Sequence, residues 1–166
     1  MLDLVADTNI IFSALLKKGK IRKIVLLGEG IKLHAPQELY EELHRLAPKL
    51  QRYIRLPREE LHEAIDTFVS ETIELHEREE YREMLALAEQ LLAEVDIADA
   101  PFVGLAMFLG VPLWTGDKEL LVLSVGTGFE HFVAVDTEGV EMLLEGKKIE
   151  EVEEGMREKY GWVRGI

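Results

Sequence analysis

Five short apolar runs punctuate the chain: Leu2–Asp7, Ile31–Ala35, Thr72–Leu75, Val111–Thr115 and Phe132–Asp136. Each has the length of a buried strand, and segments with apolar residues at helical spacing lie between them. Short apolar strands that alternate with helices pair in parallel, and a parallel sheet must be covered on both faces. The expectation is an α/β protein of three layers, α/β/α. Its 166 residues suit one full core and leave no room for a second. Hydrophobic residues make up 48%, which fits a folded chain rather than a disordered one.

The helical segments have readable ends. Thr8 or Asn9 can cap a first helix that runs to about Lys17, with Gly19 breaking it. A second covers Ile21–Leu27 and stops at Gly28 and Gly30. Pro36 is expected in the first turn of a third, with Leu39, Leu43 and Leu46 as its apolar stripe. Pro48 and Pro57 bracket a basic, irregular stretch. A helix from about Arg58 to Ser70 turns Leu61, Ile65 and Phe68 to one side. The charged segment Glu77–Glu94 turns Tyr81, Leu85, Ala88 and Leu92 inward. A loop over Val95–Asp99 leads to an apolar helix, Asp99–Leu109, ended by Gly110. Helices over Asp117–Ser124 and Glu138–Leu144 follow. The core domain is expected over 1–144, with 145–166 as an acidic, helical extension of it.

Composition removes several function classes. No apolar run approaches the ~18 residues of a membrane span, and the start of the chain lacks the features of a signal peptide. There is no cysteine, so disulfides, cysteine zinc sites and thiol catalysis are excluded, and a cytoplasmic protein is expected. The net charge of −13 argues against nucleic acid until its distribution is read. Residues 1–58 hold 11 Lys/Arg against 6 Asp/Glu, net +5; residues 59–166 hold 8 against 26, net −18. Lys17, Lys18, Lys20, Arg22 and Lys23 form one basic cluster; Arg45, Lys49, Arg52, Arg55 and Arg58 form another. A local basic face can hold a phosphate backbone on an acidic protein. Such clusters also occur simply as solvated surface.

Four acids stand in apolar surroundings: Asp7 and Asp117 after strands, Glu42 on the third helix, and Asp99 at a helix start. Carboxylates beside a core are costly unless paired, hydrogen-bonded or metal-bound. In a sheet of this kind ligands sit beyond the carboxyl ends of the strands, where strand order reverses, so Asp7 and Asp117 should meet there. Three or four carboxylates can hold one or two hard divalent ions and leave room for water and a phosphate. Thr8, Asn9 and Thr115 are placed to hydrogen-bond the carboxylates or a bound water. Each acid has a plainer use: Asp99 and Asp117 as helix caps, Glu42 as an exposed surface charge. Asp96 and Asp136 are read as structural, with an auxiliary place at the metal as the alternative.

In order and context these residues resemble the PIN-domain family of metal-dependent ribonucleases, over about residues 1–144. Asp7-Thr8-Asn9 is similar to the family's opening triplet, Glu42-Leu43 to its second acidic position, and Asp99 with Val103 and Leu105-Ala106 to its third. Thr115-Gly116-Asp117-Lys118 is similar to the Thr-x-Asp that ends the fourth strand. The resemblance implies a five-stranded parallel sheet in the order 3-2-1-4-5. It implies Mg²⁺ or Mn²⁺ held by Asp7, Glu42, Asp99 and Asp117, and hydrolysis of single-stranded or structured RNA to a 3′-hydroxyl and a 5′-phosphate. Arg45, Lys49, Arg52 and Lys18 are the candidate substrate-binding cations. Many members of the family are toxins with a cognate antitoxin, and many are homodimers; others process RNA or act as scaffolds that do not cut.

Rival α/β readings lack their signatures. A receiver domain needs a phosphoacceptor Asp after the third strand, where Leu75-His76 stands. A haloacid-dehalogenase phosphatase needs Asp-x-Asp, and no phosphate-binding Gly-x-x-x-x-Gly-Lys occurs. Gly126-Thr127-Gly128 reads as a turn. The five histidines, at 34, 44, 62, 76 and 131, show no metal spacing, and most are expected on the surface.

Overall fold

β1 (Leu2–Ala6) is the middle strand of a five-stranded, all-parallel sheet in the order β3-β2-β1-β4-β5. The computed structural model describes residues 1–16, 19–27 and 30–161. The other strands are β2 (Ile31–Pro36), β3 (Ile73–His76), β4 (Leu113–Trp114) and β5 (Ala134–Val135). Leu4, Val5 and Ala6 are buried because strands and helices enclose β1 on every side. The chain steps outward from β1 through β2 to β3, then returns to the other side of β1 for β4 and β5. Strand order therefore reverses between β1 and β4, the place where an α/β sheet opens a crevice. The expected three-layer α/β/α architecture and strand order are both present.

Helices α1 (Thr8–Leu16), α2 (Lys20–Leu27), α3 (Glu38–Arg45), α4 (Ala47–Leu50) and α5 (Arg58–Thr72) come from the first half of the chain. α6 (Arg82–Leu91), α7 (Ala100–Leu109), α8 (Lys118–Gly126), α9 (Thr137–Leu144) and α10 (Ile149–Met156) follow. α7 buries its first seven residues, as a helix that is apolar on all sides should. Gly104 lets it lie against α6: a Cβ there would stand 2.9 Å from Leu85 Cα, so only glycine permits this approach. That packing fixes the end of α7 that carries Asp99.

Four local expectations need correction. Pro36 closes β2 instead of opening a helix; as the last strand residue its missing N–H costs the ladder little, and Gln37 N takes over by donating to His76 O at 2.8 Å. The stretch after Pro48 contains the turn α4, whose Ala47 and Leu50 are buried, and Pro48 sits in its first turn where no N–H is required. Glu77–Glu94 is a 3-10 turn (Arg78–Tyr81) followed by α6, and the loop before Asp99 contains a 3-10 turn, Ile97–Asp99. The C-terminal segment adds to the core: Val152 and Met156 of α10 are fully buried, and α10 packs on α8, α9 and β5.

Candidate metal centre

β1 delivers Asp7 to the carboxyl edge of the sheet. Its backbone N donates to Trp114 O (3.2 Å), which ties it to the end of β4. One carboxylate oxygen, Oδ1, accepts from Ile10 N at 2.9 Å. The cap of α1 is thus Asp7 itself, not Thr8 or Asn9. The other, Oδ2, accepts from the Thr115 hydroxyl. Thr115 Oγ1 in turn accepts from Asp117 N at 2.9 Å, so one buried threonine links the acids that follow β1 and β4. Asp117 caps α8, its Oδ1 accepting from Glu119 N (2.9 Å) and Leu120 N (3.4 Å). Oδ2 of Asp117 takes no hydrogen bond among the described residues.

Glu42 enters from α3, whose buried Leu39 and Leu43 hold that helix on the core. Its Oε2 accepts from the Thr8 hydroxyl, which joins α3 to the start of α1. Asp99 stands at the first turn of α7 with no capping bond from its side chain; Asp96 does the local capping, accepting from Ala98 N at 3.0 Å. The plain use of Asp99 as a cap is therefore not what the fold makes of it, whereas for Asp96 it is. Asp136 is structural too: it caps α9 through Gly139 N and accepts from Lys159 (2.9 Å) and Tyr160 (2.7 Å).

Asp99 feels the other three acids. Asp99 is pushed up to about 7, first by burial and then by the charges of Asp96, Asp117, Asp7 and Glu42. Asp7 is also raised, by burial above all and by Asp117 in addition, although its hydrogen bonds from Thr115 and Ile10 work against the shift. Asp99 is thus a half-buried carboxyl with no side-chain hydrogen bond among the described residues and with like charges around it, an arrangement that a cation would relieve. The donor set is all oxygen, which suits Mg²⁺ or Mn²⁺.

Of the expected helpers, Thr8 and Thr115 bond the acids. Asn9 does so only through its backbone N–H, near Asp7; its side chain is exposed and bonds none of them among the described residues. Arg45 lies one turn beyond Glu42 on α3, and Lys49 Nζ stands 5.3 Å over the ring of Phe12 on α1. Arg45, Lys49 and Arg52 are exposed and form no ion pair among the described residues. Lys18, like Lys17, lies outside the described residues.

The histidines depart most from expectation. His34 and His76 are buried, 5% and 9% exposed, and with Glu74 they bring three ligand atoms within 4.8 Å of one another. His44 and His62 stack with ring centroids 4.8 Å apart, and His131 alone of the five is exposed. No spacing along the chain reveals this, because β2 and β3 come from separate stretches and only their register makes neighbours of them.

A parallel sheet in this order, with carboxylates gathered beyond β1 and β4, defines a PIN-like α/β/α protein. The model of the PIN domain family matches residues 5–155, and the chain belongs to that family. The match runs past residue 144 into α10. Among solved structures, a chain of VapBC2 from Rickettsia felis, bound to a DNA fragment from its promoter, is similar in fold. The TM-score is 0.60 at 14% identity, over 81% of this chain and 98% of that one. No curated protein matches by sequence. No described helix is long and apolar enough to cross a membrane.

Proposed function

We propose that this PIN domain is a divalent-metal-dependent endoribonuclease, with Asp7, Glu42, Asp99 and Asp117 holding Mg²⁺ or Mn²⁺. The observation that carries the reading is the convergence of these acids at the β1–β4 crevice, with Asp99 raised to about 7 and no hydrogen bond to its side chain among the described residues. A bound divalent ion supplies charge neutralisation at a phosphate and a lower pKa for a coordinated water. The chain's own residues do the rest. Thr115 and the Ile10 N–H orient Asp7, Thr8 orients Glu42, and the first turn of α8 anchors Asp117 while leaving Oδ2 free. Asp99 would hold the ion as a carboxylate, its proton released to solvent. Arg45, one turn from Glu42, Lys49, over Phe12 of α1, and Arg52 are exposed, without an acid partner among the described residues, and offer positive charge to the RNA backbone.

The finer reading is an RNA-cleaving toxin controlled by an antitoxin, or an RNA-processing enzyme, acting as a cytoplasmic homodimer. Family membership and the fold shared with VapBC2 support a partner protein of that kind. The test is cleavage of a mixed pool of single-stranded and structured RNA in Mn²⁺. Wild type should cut it. Asp7→Asn or Asp117→Asn should lower the rate about a hundredfold or more, with circular dichroism and Tm showing that the fold survives. If wild type binds no divalent ion and leaves the RNA whole, the nuclease reading fails. A PIN scaffold that binds RNA or protein without cutting then takes its place.

A further inference from the structure

We propose a second metal site of different chemistry, at the outer edge of the sheet, in which His34, His76 and Glu74 take Zn²⁺. It shares no residue with the acidic crevice and does not depend on the nuclease reading.

Register creates the cluster. His34 on β2 pairs with Glu74 on β3, and His76 lies two residues beyond Glu74, so all three project from one face of the sheet. Asp3 on β1, two residues before the partner of His34, is on that face as well. His34 Nδ1 lies 2.9 Å from His76 Nε2, and Glu74 Oε2 lies 3.3 Å from the first and 3.9 Å from the second. The remaining ring nitrogens are both occupied. His34 Nε2 is 2.8 Å from Asp3 Oδ1, and His76 Nδ1 is 2.6 Å from Glu80 Oε2.

Those two contacts fix the tautomers. An ionised carboxylate only accepts, so the protons sit on His34 Nε2 and His76 Nδ1. The nitrogens that face each other then both present lone pairs, and at 2.9 Å they repel unless something positive lies between them. A shared proton would satisfy the two rings but would give Glu74 no part. A metal ion uses all three donors. Two imidazoles backed by carboxylates, plus one carboxylate ligand, is the ligand chemistry of zinc and its late first-row neighbours rather than of magnesium. Glu74 is half exposed and shared with Lys32 at 3.1 Å, so water can complete the coordination from the solvent side. Zn²⁺ entering here displaces the shared proton to the solvent. It also clips β3, which has a neighbour on one side only, to β2.

The test titrates the metal-free full chain with Co²⁺, a visible-band probe for zinc sites, in an excess of Mg²⁺ that fills any all-oxygen site. One equivalent should bind with the strong absorption of a low-coordinate imidazole site and with proton release. Zn²⁺ should displace it and raise Tm. His76→Gln should abolish the band. Glu74→Gln, at an exposed position that leaves the core alone, should weaken Co²⁺ binding by about tenfold or more. No Co²⁺ uptake by the folded protein overturns the proposal and leaves the shared proton. A weak six-coordinate spectrum that survives both substitutions overturns it equally.

Discussion

Beyond β1 and β4, Asp7 and Asp99 are held above the usual range of a carboxyl group; at the β1–β2–β3 face, Asp3 and Glu74 are held below it. The residue type is nearly the same and the sheet is the same. What differs is burial first, which raises Asp7 and Asp99 while Asp3 and Glu74 stay far more exposed, and then how the backbone distributes charge. Two strand ends, a helix start and the face of α3 gather four acids, and the charges of the other three all bear on Asp99. The strand pleat instead interleaves Asp3 and Glu74 with His34, His76 and Lys32. In the proposed reading a hard cation supplies the missing positive charge in the crevice. At the histidine edge the outer ring nitrogens are compensated by Asp3 and Glu80, and only the two that face each other await a positive partner.

The largest expected effect tests whether basic charge serves the crevice alone. Arg45, Lys49 and Arg52 have no acid partner among the described residues, whereas Lys32 at the histidine edge is held by Glu74. Replacing the first three by Gln should weaken RNA binding and flatten its salt dependence by about 0.7 in log–log slope for each phosphate left unneutralised. Lys32→Gln should leave both unchanged. Filter binding across a salt series measures this. An equal weakening with Lys32→Gln would mean that RNA tracks the whole basic half of the chain and not the crevice.

The two regions also differ in how far the sequence discloses them. Asp7 and Asp117 are legible because a strand's end is a local feature and the place of ligands in a parallel sheet follows from topology. Glu42 is legible from Leu39 and Leu43, which state which way the helix faces. Asp99 is harder, since Asp96 competes for the same role; only the structure assigns capping to Asp96 and leaves Asp99 free. The histidine cluster is illegible, because residues 42 apart become neighbours only through the β2–β3 register. Pro36 and Pro48 are each misplaced for one reason. Proline states where an N–H is dispensable, and both a strand end and a helix start qualify. The depth of α10 escapes notice because its Glu-rich composition hides Val152 and Met156 among exposed charges.

A smaller effect should appear in the pH dependence of the metal-free protein. Asp99 is protonated in both folded and unfolded chains below 3.8. Between 3.8 and about 7 the folded chain keeps the proton and the unfolded chain loses it, so stability falls as pH rises through that window. Asp99→Asn removes this fall, and its metal-free Tm at pH 8 should exceed that of wild type. Mn²⁺ should reverse the ranking, because it stabilises wild type more as the competing proton leaves above about 7. Melts at several pH values, with and without Mn²⁺, measure both parts. A wild-type curve that is flat between 4 and 8 would mean that neither burial nor the neighbouring acids hold the proton on Asp99.

The smallest effect should have the opposite sign. Asp3 is held low chiefly by the hydrogen bond from His34. Its contribution is therefore present above 3.8 and lost as pH falls through the depressed value in the folded chain. Asp3→Asn should lower Tm at neutral pH, where Asp99→Asn in the metal-free protein raises it. Because the Asp3 side chain is 41% exposed, solvent screens the pair and the cost should be at most about 1 kcal/mol. Urea melts of the variant and wild type at pH 7 and pH 3.5 measure the difference and its narrowing as pH falls below 3.8. Equal signs for the two substitutions would mean that total negative charge governs stability. Opposite signs would mean that each carboxylate answers to its own neighbours, as the geometry of the two regions requires.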